Sequence, residues 1–257
     1  MMKKIIACSV LAAVLSGCTF CDPSSELPPP VTVVKIQEEI KLDGKLDDNA
    51  WKKAPVHELV FIDRYNNLPE AEYKRSLQDK YDSGRAQLVY DDKYLYLGVE
   101  FDDTDVICNA KQDQGHFYRT SDVVELFLWP EDALHYWELY STPGGFKTGF
   151  FFPSAGIPMD KYLTEEPIIP GLDTASQIQG SLNVSSDIDK GWTTEMKVPL
   201  SELNAKGVKF EPGKKWRILI ARYNYSKRLW KFQNSSYPLL PQFSYHLRLY
   251  YAPVIFK

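Results

Sequence analysis

Hydrophobic and polar residues alternate along most of this chain with a period of two. In Tyr94–Phe101, Leu95, Leu97, Val99 and Phe101 share one face, and Tyr94, Tyr96 and Glu100 the other. That is the pattern of a half-buried strand. Ala86–Tyr90 precedes it across Asp91-Asp92-Lys93, which predicts a hairpin. Val123–Trp129 is apolar on both faces apart from Glu125, as expected of a central strand. Tyr136–Tyr140 and Phe146–Phe152 flank Ser141-Thr142-Pro143-Gly144-Gly145, a second hairpin. Gln179–Val184 and Trp192–Val198 predict a third, around Asp187-Ile188-Asp189-Lys190-Gly191. Lys215–Tyr223 and a segment from Leu247 to Phe256 complete the set, and Pro199–Leu203 allows at most a short helix. The chain therefore reads as all-β: an antiparallel β-sandwich of immunoglobulin- or jelly-roll-like two-sheet architecture, with few short helices.

The pattern opens at Leu42–Trp51. Asp43-Gly44 is a strong turn signal, Asp47 sits where a helix N-cap would, and Trp51 can fold back onto the core. Upstream, Lys3 and Lys4 precede an apolar run, Ile5–Leu15, too short to span a membrane. The run ends in Leu15-Ser16-Gly17-Cys18, which matches a bacterial lipoprotein processing box with Cys18 as the lipid-bearing residue; the alternative is an ordinary secretory signal. Pro23, Pro28, Pro29 and Pro30 then read as an extended tether. The expected organisation is a signal over 1–17, a lipid-anchored tether over 18–35 and one domain over 36–257. The location that follows is the cell envelope, periplasmic or at the outer-membrane surface.

Charge and composition narrow the partner. The net charge is −4, or −6 without Lys3 and Lys4, so the basic face that nucleic acid requires is lacking. Aromatics make up 14% of the chain, more than a core needs and suited to stacking flat ligands. Beyond the signal, Cys21 and Cys108 accompany Cys18, which is no disulfide framework.

Four blocks, in order, resemble the carbohydrate-binding modules of family 9 and their lipoprotein relatives. They are Asp43-Gly44-Lys45-Leu46-Asp47 with Trp51; Leu88–Val99; Ser121–Phe127 followed by Tyr136-Trp137-Glu138-Leu139; and Gly191–Leu200 with Trp216-Arg217-Ile218. The resemblance implies a β-sandwich that binds glycans, often at chain ends, without catalysis and in places with structural calcium. It implies a poly- or oligosaccharide ligand, a role in carbohydrate catabolism and glycan-processing enzymes as partners.

In that family two Trp side chains clamp a sugar. At the first position this chain has Arg119, beside Phe117 and Tyr118; near the second it has Ser244-Tyr245-His246, with Tyr245 the matching aromatic. These replacements imply a different sugar, a looser site or a site elsewhere. Glu125 corresponds to a family Glu that accepts hydrogen bonds from sugar hydroxyls; the alternative is a pair with Arg217 or Arg222. Arg222 is a candidate bidentate donor, His246 the preferred histidine, and Trp129 a candidate platform. Glu138, between Tyr136 and Tyr140, reads as part of one solvated face. Trp51, Trp192 and Trp216 read as core; Trp137 and Trp230, like Trp129, lie near strand ends and fit core or platform. His57, His116 and His135 lack the spacing of a zinc site. Asp102-Asp103-Thr104-Asp105 offers oxygen ligands for calcium, though metal is the minority reading, since acidic strand-end turns are common without it.

Two other classes stay open. A glycoside hydrolase needs two carboxylates set across a sugar, and no such pair is legible. A surface scaffold would bind a protein instead.

Overall fold

The alternating segments pair into one hydrogen-bonded sheet. The structure is a computed structural model and describes residues 28–62, 68–76, 78–154 and 169–257. Its strands are β1 (Val31–Lys35), β2 (His57–Glu58), β3 (Val60–Phe61), β4 (Gly84–Tyr90), β5 (Tyr94–Asp102), β6 (Val123–Pro130) and β7 (Tyr136–Ser141). They continue with β8 (Lys147–Phe152), β9 (Asp173–Gln179), β10 (Gly191–Pro199), β11 (Trp216–Asn224), β12 (Gln233–Tyr237) and β13 (Ala252–Phe256). Two short helices, α1 (Glu70–Ser76) and α2 (Leu200–Asn204), and the 3-10 turns Trp51–Lys53, Phe117–Arg119 and Arg248–Tyr250 complete the described elements. The expected signal, the expected lipidation at Cys18 and residues 18–27 of the expected tether lie outside the described residues.

The strand order is β8-β7-β6-β11-β13-β1-β4-β5-β10-β9, with β12, β3 and β2 as side branches. All but two neighbours on this path are antiparallel. The exceptions meet at β1, which runs parallel to both β13 and β4. The all-β expectation holds. It differs at β1, where two half-sheets expected to be separate are joined by backbone bonds. Residues 31–35 therefore belong to the sheet rather than to the tether, with Val31 and Val33 fully buried.

Between the halves lies the main core. Leu88, Leu97, Val99, Trp192 and Met196 pack in one cluster with Val124, Leu126, Leu128, Trp137, Leu139, Ile218 and Ile220. Fully burying each large apolar side chain stabilises by about 1.5–3 kcal/mol, so this layer dominates folding. The outer faces are covered too. On β4–β5 the outer face, with Val89 and Tyr96, packs on Ile36, Ile40 and Trp51. On β6–β7–β8–β11, Phe127, Tyr140, Phe150 and Leu219 pack with Leu240, Tyr245 and Tyr251 of the C-terminal segment.

The Leu42–Trp51 turn is anchored by Glu195 on β10. Glu195 Oε2 accepts the N–H groups of Asp43 (2.9 Å) and Gly44 (2.8 Å), and Oε1 accepts the Trp51 indole N–H (2.9 Å). Gly44 is required here: φ is +80°, and a Cβ would lie 2.8 Å from the Ser176 backbone. Asp47 does not cap. The 3-10 turn Trp51–Lys53 has Ala50 before it and no side-chain cap; the backbone carbonyls of Asp48 and Ala50 take the N–H groups of Trp51 (3.2 Å) and Lys53 (3.1 Å). The third hairpin is also shifted. β9 pairs β10 in register, Gln179 opposite Gly191, and Gly180–Val184 is loop.

Candidate functional site

Strand parity decides which side chains meet. On β6, Val124, Leu126 and Leu128 enter the main core, so Val123, Glu125, Phe127 and Trp129 point to the other face. On β7, Trp137 and Leu139 face the core, which sends Tyr136, Glu138 and Tyr140 the same way as Glu125. Register then sets Glu125 opposite Tyr140 and Phe127 opposite Glu138, making the two glutamates diagonal neighbours.

Solvent would reach this face if the chain ended after β12. Instead the C-terminal segment crosses it, and Glu125 and Glu138 are each only 2% exposed. They line a cavity of about 230 Å³. Its walls are Tyr118, Phe127, Tyr223 and Phe243, and Ser244, Tyr245 and His246 complete it. Tyr223 meets Tyr118 at 5.6 Å between ring centres and Tyr245 at 5.3 Å, so the walls are continuous π-surface.

Among the described residues neither glutamate has a cationic partner. Arg217 pairs with Glu131 at 2.8 Å, and Arg222 pairs with Asp103 at 2.9 Å. The pairing of Glu125 with Arg217 or Arg222 is thus not formed. Tyr140 donates its hydroxyl to Glu138 Oε1, while Glu138 Oε2 and Glu125 Oε1 are buried without a partner. Burial pushes the Glu138 carboxyl up to about 8. Burial, and then the charge of Glu138, raise Glu125 well above the usual carboxylate range.

The candidate residues distribute as follows. Tyr245 is buried, and its hydroxyl donates to the Arg222 carbonyl at 2.8 Å, so only its ring serves the cavity. His246 keeps an exposed edge while Phe127, Tyr136 and Phe152 crowd its ring; that crowding lowers its pKa. Its Nδ1 lies 3.0 Å from the Tyr136 hydroxyl. Tyr118 is a wall, and Arg119 lies beside it, exposed, with its guanidinium 5.5 Å from the Tyr118 ring centre. Phe117 is buried against Tyr140 and Phe146, a core residue rather than a platform. Trp129 lines an adjoining, mainly apolar hollow of about 300 Å³ with His246 and Arg248.

Arg222 is a correction. It lies on the inner face of β11, 1% exposed, with its guanidinium 4.3 Å from the Phe101 ring centre and bonded to Asp103 and the carbonyls of Asp82 and Ser83. No sugar can reach it there. The alternation Ile218, Ile220, Arg222 carried that information in the sequence. Glu138, Phe127, Tyr223 and Phe243 are the lining residues that the sequence reading missed. Trp230, half-buried, has Lys231 and Arg75 against its ring and lies outside the cavity lining.

The acidic turn does not fit calcium. Asp103 is committed to Arg222, Asp102 accepts the Ser83 hydroxyl, and Asp105 Oδ2 accepts Ser226 and the Lys227 N–H. Among the described residues no group of three His, Cys, Asp or Glu side chains is placed to hold a metal.

No protein-family model and no curated protein matches the sequence. Solved structures do match. A candidate carbohydrate-binding protein from Bacteroides uniformis ATCC 8492 superposes with a TM-score of 0.67 at 15% identity, over 89% of this chain and 99% of the other. A family 9 carbohydrate-binding module from Caldicellulosiruptor kristjanssonii in complex with cellotriose superposes with a TM-score of 0.54 at 13% identity, over 89% of this chain and 93% of that one. The chain folds like a family 9 carbohydrate-binding module. The module from the same organism in complex with glucose gives a TM-score of 0.53 at 12% identity, over 88% and 95% of the two chains. At these identities the likeness is one of fold.

Proposed function

We propose that the protein binds carbohydrate without catalysis, through the cavity over Glu125 and Glu138. The supporting observation is a pair of buried, unpartnered carboxylate oxygens beneath half-buried aromatic rings. Carboxylates accept hydrogen bonds from sugar hydroxyls, and ring faces take up the C–H faces of a pyranose. At about 230 Å³ the cavity is below the roughly 300–1,000 Å³ typical of drug-sized ligands, which favours one terminal sugar unit over a chain running through. A β-sandwich domain, a lipid at Cys18 and a Pro-rich tether would present this cavity at the cell envelope, capturing polysaccharide for glycan-processing enzymes.

Affinity electrophoresis of the protein through polysaccharide gels tests the reading. Retardation without release of reducing ends is expected, and Phe243→Ala, which removes a half-buried wall, should weaken it about tenfold. Tyr245→Ala is a poor probe, because truncating that buried ring costs about 3–5 kcal/mol of stability. Absence of retardation on every gel would discard the function.

One observation favours a second reading. Glu125 and Glu138 are paired carboxylates with raised pKa values, as an acid catalyst requires. Steady release of reducing ends, abolished by either Gln substitution, would make the protein a glycoside hydrolase.

A further inference from the structure

Carbohydrate ligands differ in charge, and this cavity has an unusual charge state. Two carboxyl groups share a buried floor, yet none of the cavity-lining residues is Lys or Arg. The guanidinium closest along the sequence, Arg119, lies over the Tyr118 ring, and Arg248 is held over Trp129 and Tyr136. Burying an unpaired carboxylate is costly, so such a group holds its proton or waits for a cation. Here each glutamate retains one oxygen without a partner, and both side chains are 98% buried. Above them stand Tyr118, Tyr223 and Phe243, and aromatic faces attract ammonium groups through the ring quadrupole.

We propose that this cavity selects sugars bearing a free, protonated amino group over neutral and acidic sugars. The inference rests on the carbohydrate-binding reading and names its substrate class. An ammonium at the floor would donate to Glu125 Oε1 and Glu138 Oε2 and bring a positive charge that none of the described lining residues supplies. An N-acetyl group removes that charge, and a uronic acid adds a third carboxylate to an acidic floor. Among the described residues, the groups facing the pair are the hydroxyl of Tyr140 on the same sheet, Tyr118 with Arg119 beside it, Tyr223 on β11, and Tyr245, His246, Tyr251 and Arg248 from the C-terminal segment. Of these Arg119 and Arg248 carry fixed positive charges; Arg119 lies over the Tyr118 ring and Arg248 over Trp129, and neither lines the cavity.

Binding of an ammonium must expel the proton that the buried pair holds in its absence. Isothermal titration of the purified full chain with D-glucosamine, D-glucose, N-acetyl-D-glucosamine and D-glucuronate at pH 6.5, in two buffers of different ionisation enthalpy, reads both selectivity and proton release. Glucosamine should bind about tenfold or more tighter than glucose, as a charge-assisted hydrogen bond replaces a neutral one, and glucuronate should bind weakest. Net proton release should accompany glucosamine and not glucose. Glu125→Gln should weaken binding of both sugars, but of glucosamine by the larger factor, so that the ratio of glucosamine to glucose affinity falls towards one. Equal binding of glucose and glucosamine, or glucosamine binding without proton release, overturns the inference and leaves carbohydrate binding standing. If none of the four sugars binds and polysaccharide gels also fail to retard the protein, both readings fall. The wild-type selectivity and proton count decide the matter even if Glu125→Gln does not fold.

Discussion

The carboxyl of Glu138 is buried beside that of Glu125, and its donor is the Tyr140 hydroxyl. A group whose folded-state pKa lies above its unfolded value binds its proton more tightly in the folded protein. Its contribution to stability is therefore complete below the ordinary glutamate range and is lost as pH rises to about 8. Chemical denaturation at pH 5, 6.5 and 8 should show stability falling, with a slope from this one group of up to about 1.4 kcal/mol per pH unit. Glu138→Gln should flatten the slope, both by removing the titrating group and by relieving Glu125 of a like charge. Identical slopes would mean that Glu138 is not held as the neutral acid. At this scale the sequence carried half the site. Glu125 stood out as the one charge in an apolar strand. Glu138 did not, since alternation cannot distinguish a solvated face from one covered by a distant segment. The covering residues Leu240–Tyr251 have no period to read, because they cross the sheet as turns and a single 3-10 step.

At the scale of elements, each half-sheet is completed by an irregular segment from one end of the domain. The N-terminal segment covers β4–β5 through Ile36, Ile40 and Trp51, and the C-terminal segment covers β6–β7–β8–β11 through Leu240, Tyr245 and Tyr251. Both are fixed by polar bonds: Glu195 holds the first, and the Tyr251 hydroxyl donating to the Tyr245 carbonyl closes the second. Glu195→Ala leaves two backbone N–H groups and the Trp51 indole without an acceptor. Each unsatisfied buried donor costs about 1–3 kcal/mol, so a loss of roughly 3 kcal/mol or more is expected in urea denaturation. Sugar affinity should be unchanged, because this turn lies on the half-sheet away from Glu125. A stability change within about 0.5 kcal/mol would mean that the turn is held by apolar packing alone. Hairpins β4–β5 and β7–β8 were legible from their turn residues. The strand β9 was not: Asp173–Gln179 carries Thr, Ser and Gln at half-exposed positions of an edge, where no alternation is enforced.

For the whole molecule, β1 is the joint. It enters the sheet between β13 and β4, so a chain arriving from the N-terminus attaches at the centre of the fold rather than at an edge. Tyr237 donates its hydroxyl toward the carbonyls of Pro29 and Pro30, which fixes where the preceding segment departs. An extended Pro-rich chain from Cys18 to this point would reach about 40 Å, enough to hold the domain clear of a bilayer surface. The lining residues of the proposed cavity fall between Tyr118 and His246, outside the tether sequence. Lipidation and sugar capture should then be separable functions. Cys18→Ser is expected to move the protein from the membrane fraction to the soluble fraction of cells, since a single unacylated, acidic chain has neither lipid nor basic patch to anchor it. The same variant should retain its retardation on polysaccharide gels within experimental scatter. Retention of Cys18→Ser in membranes after a high-salt wash would place the anchor elsewhere. Loss of gel retardation in the soluble variant would mean instead that the tether contributes to the binding face.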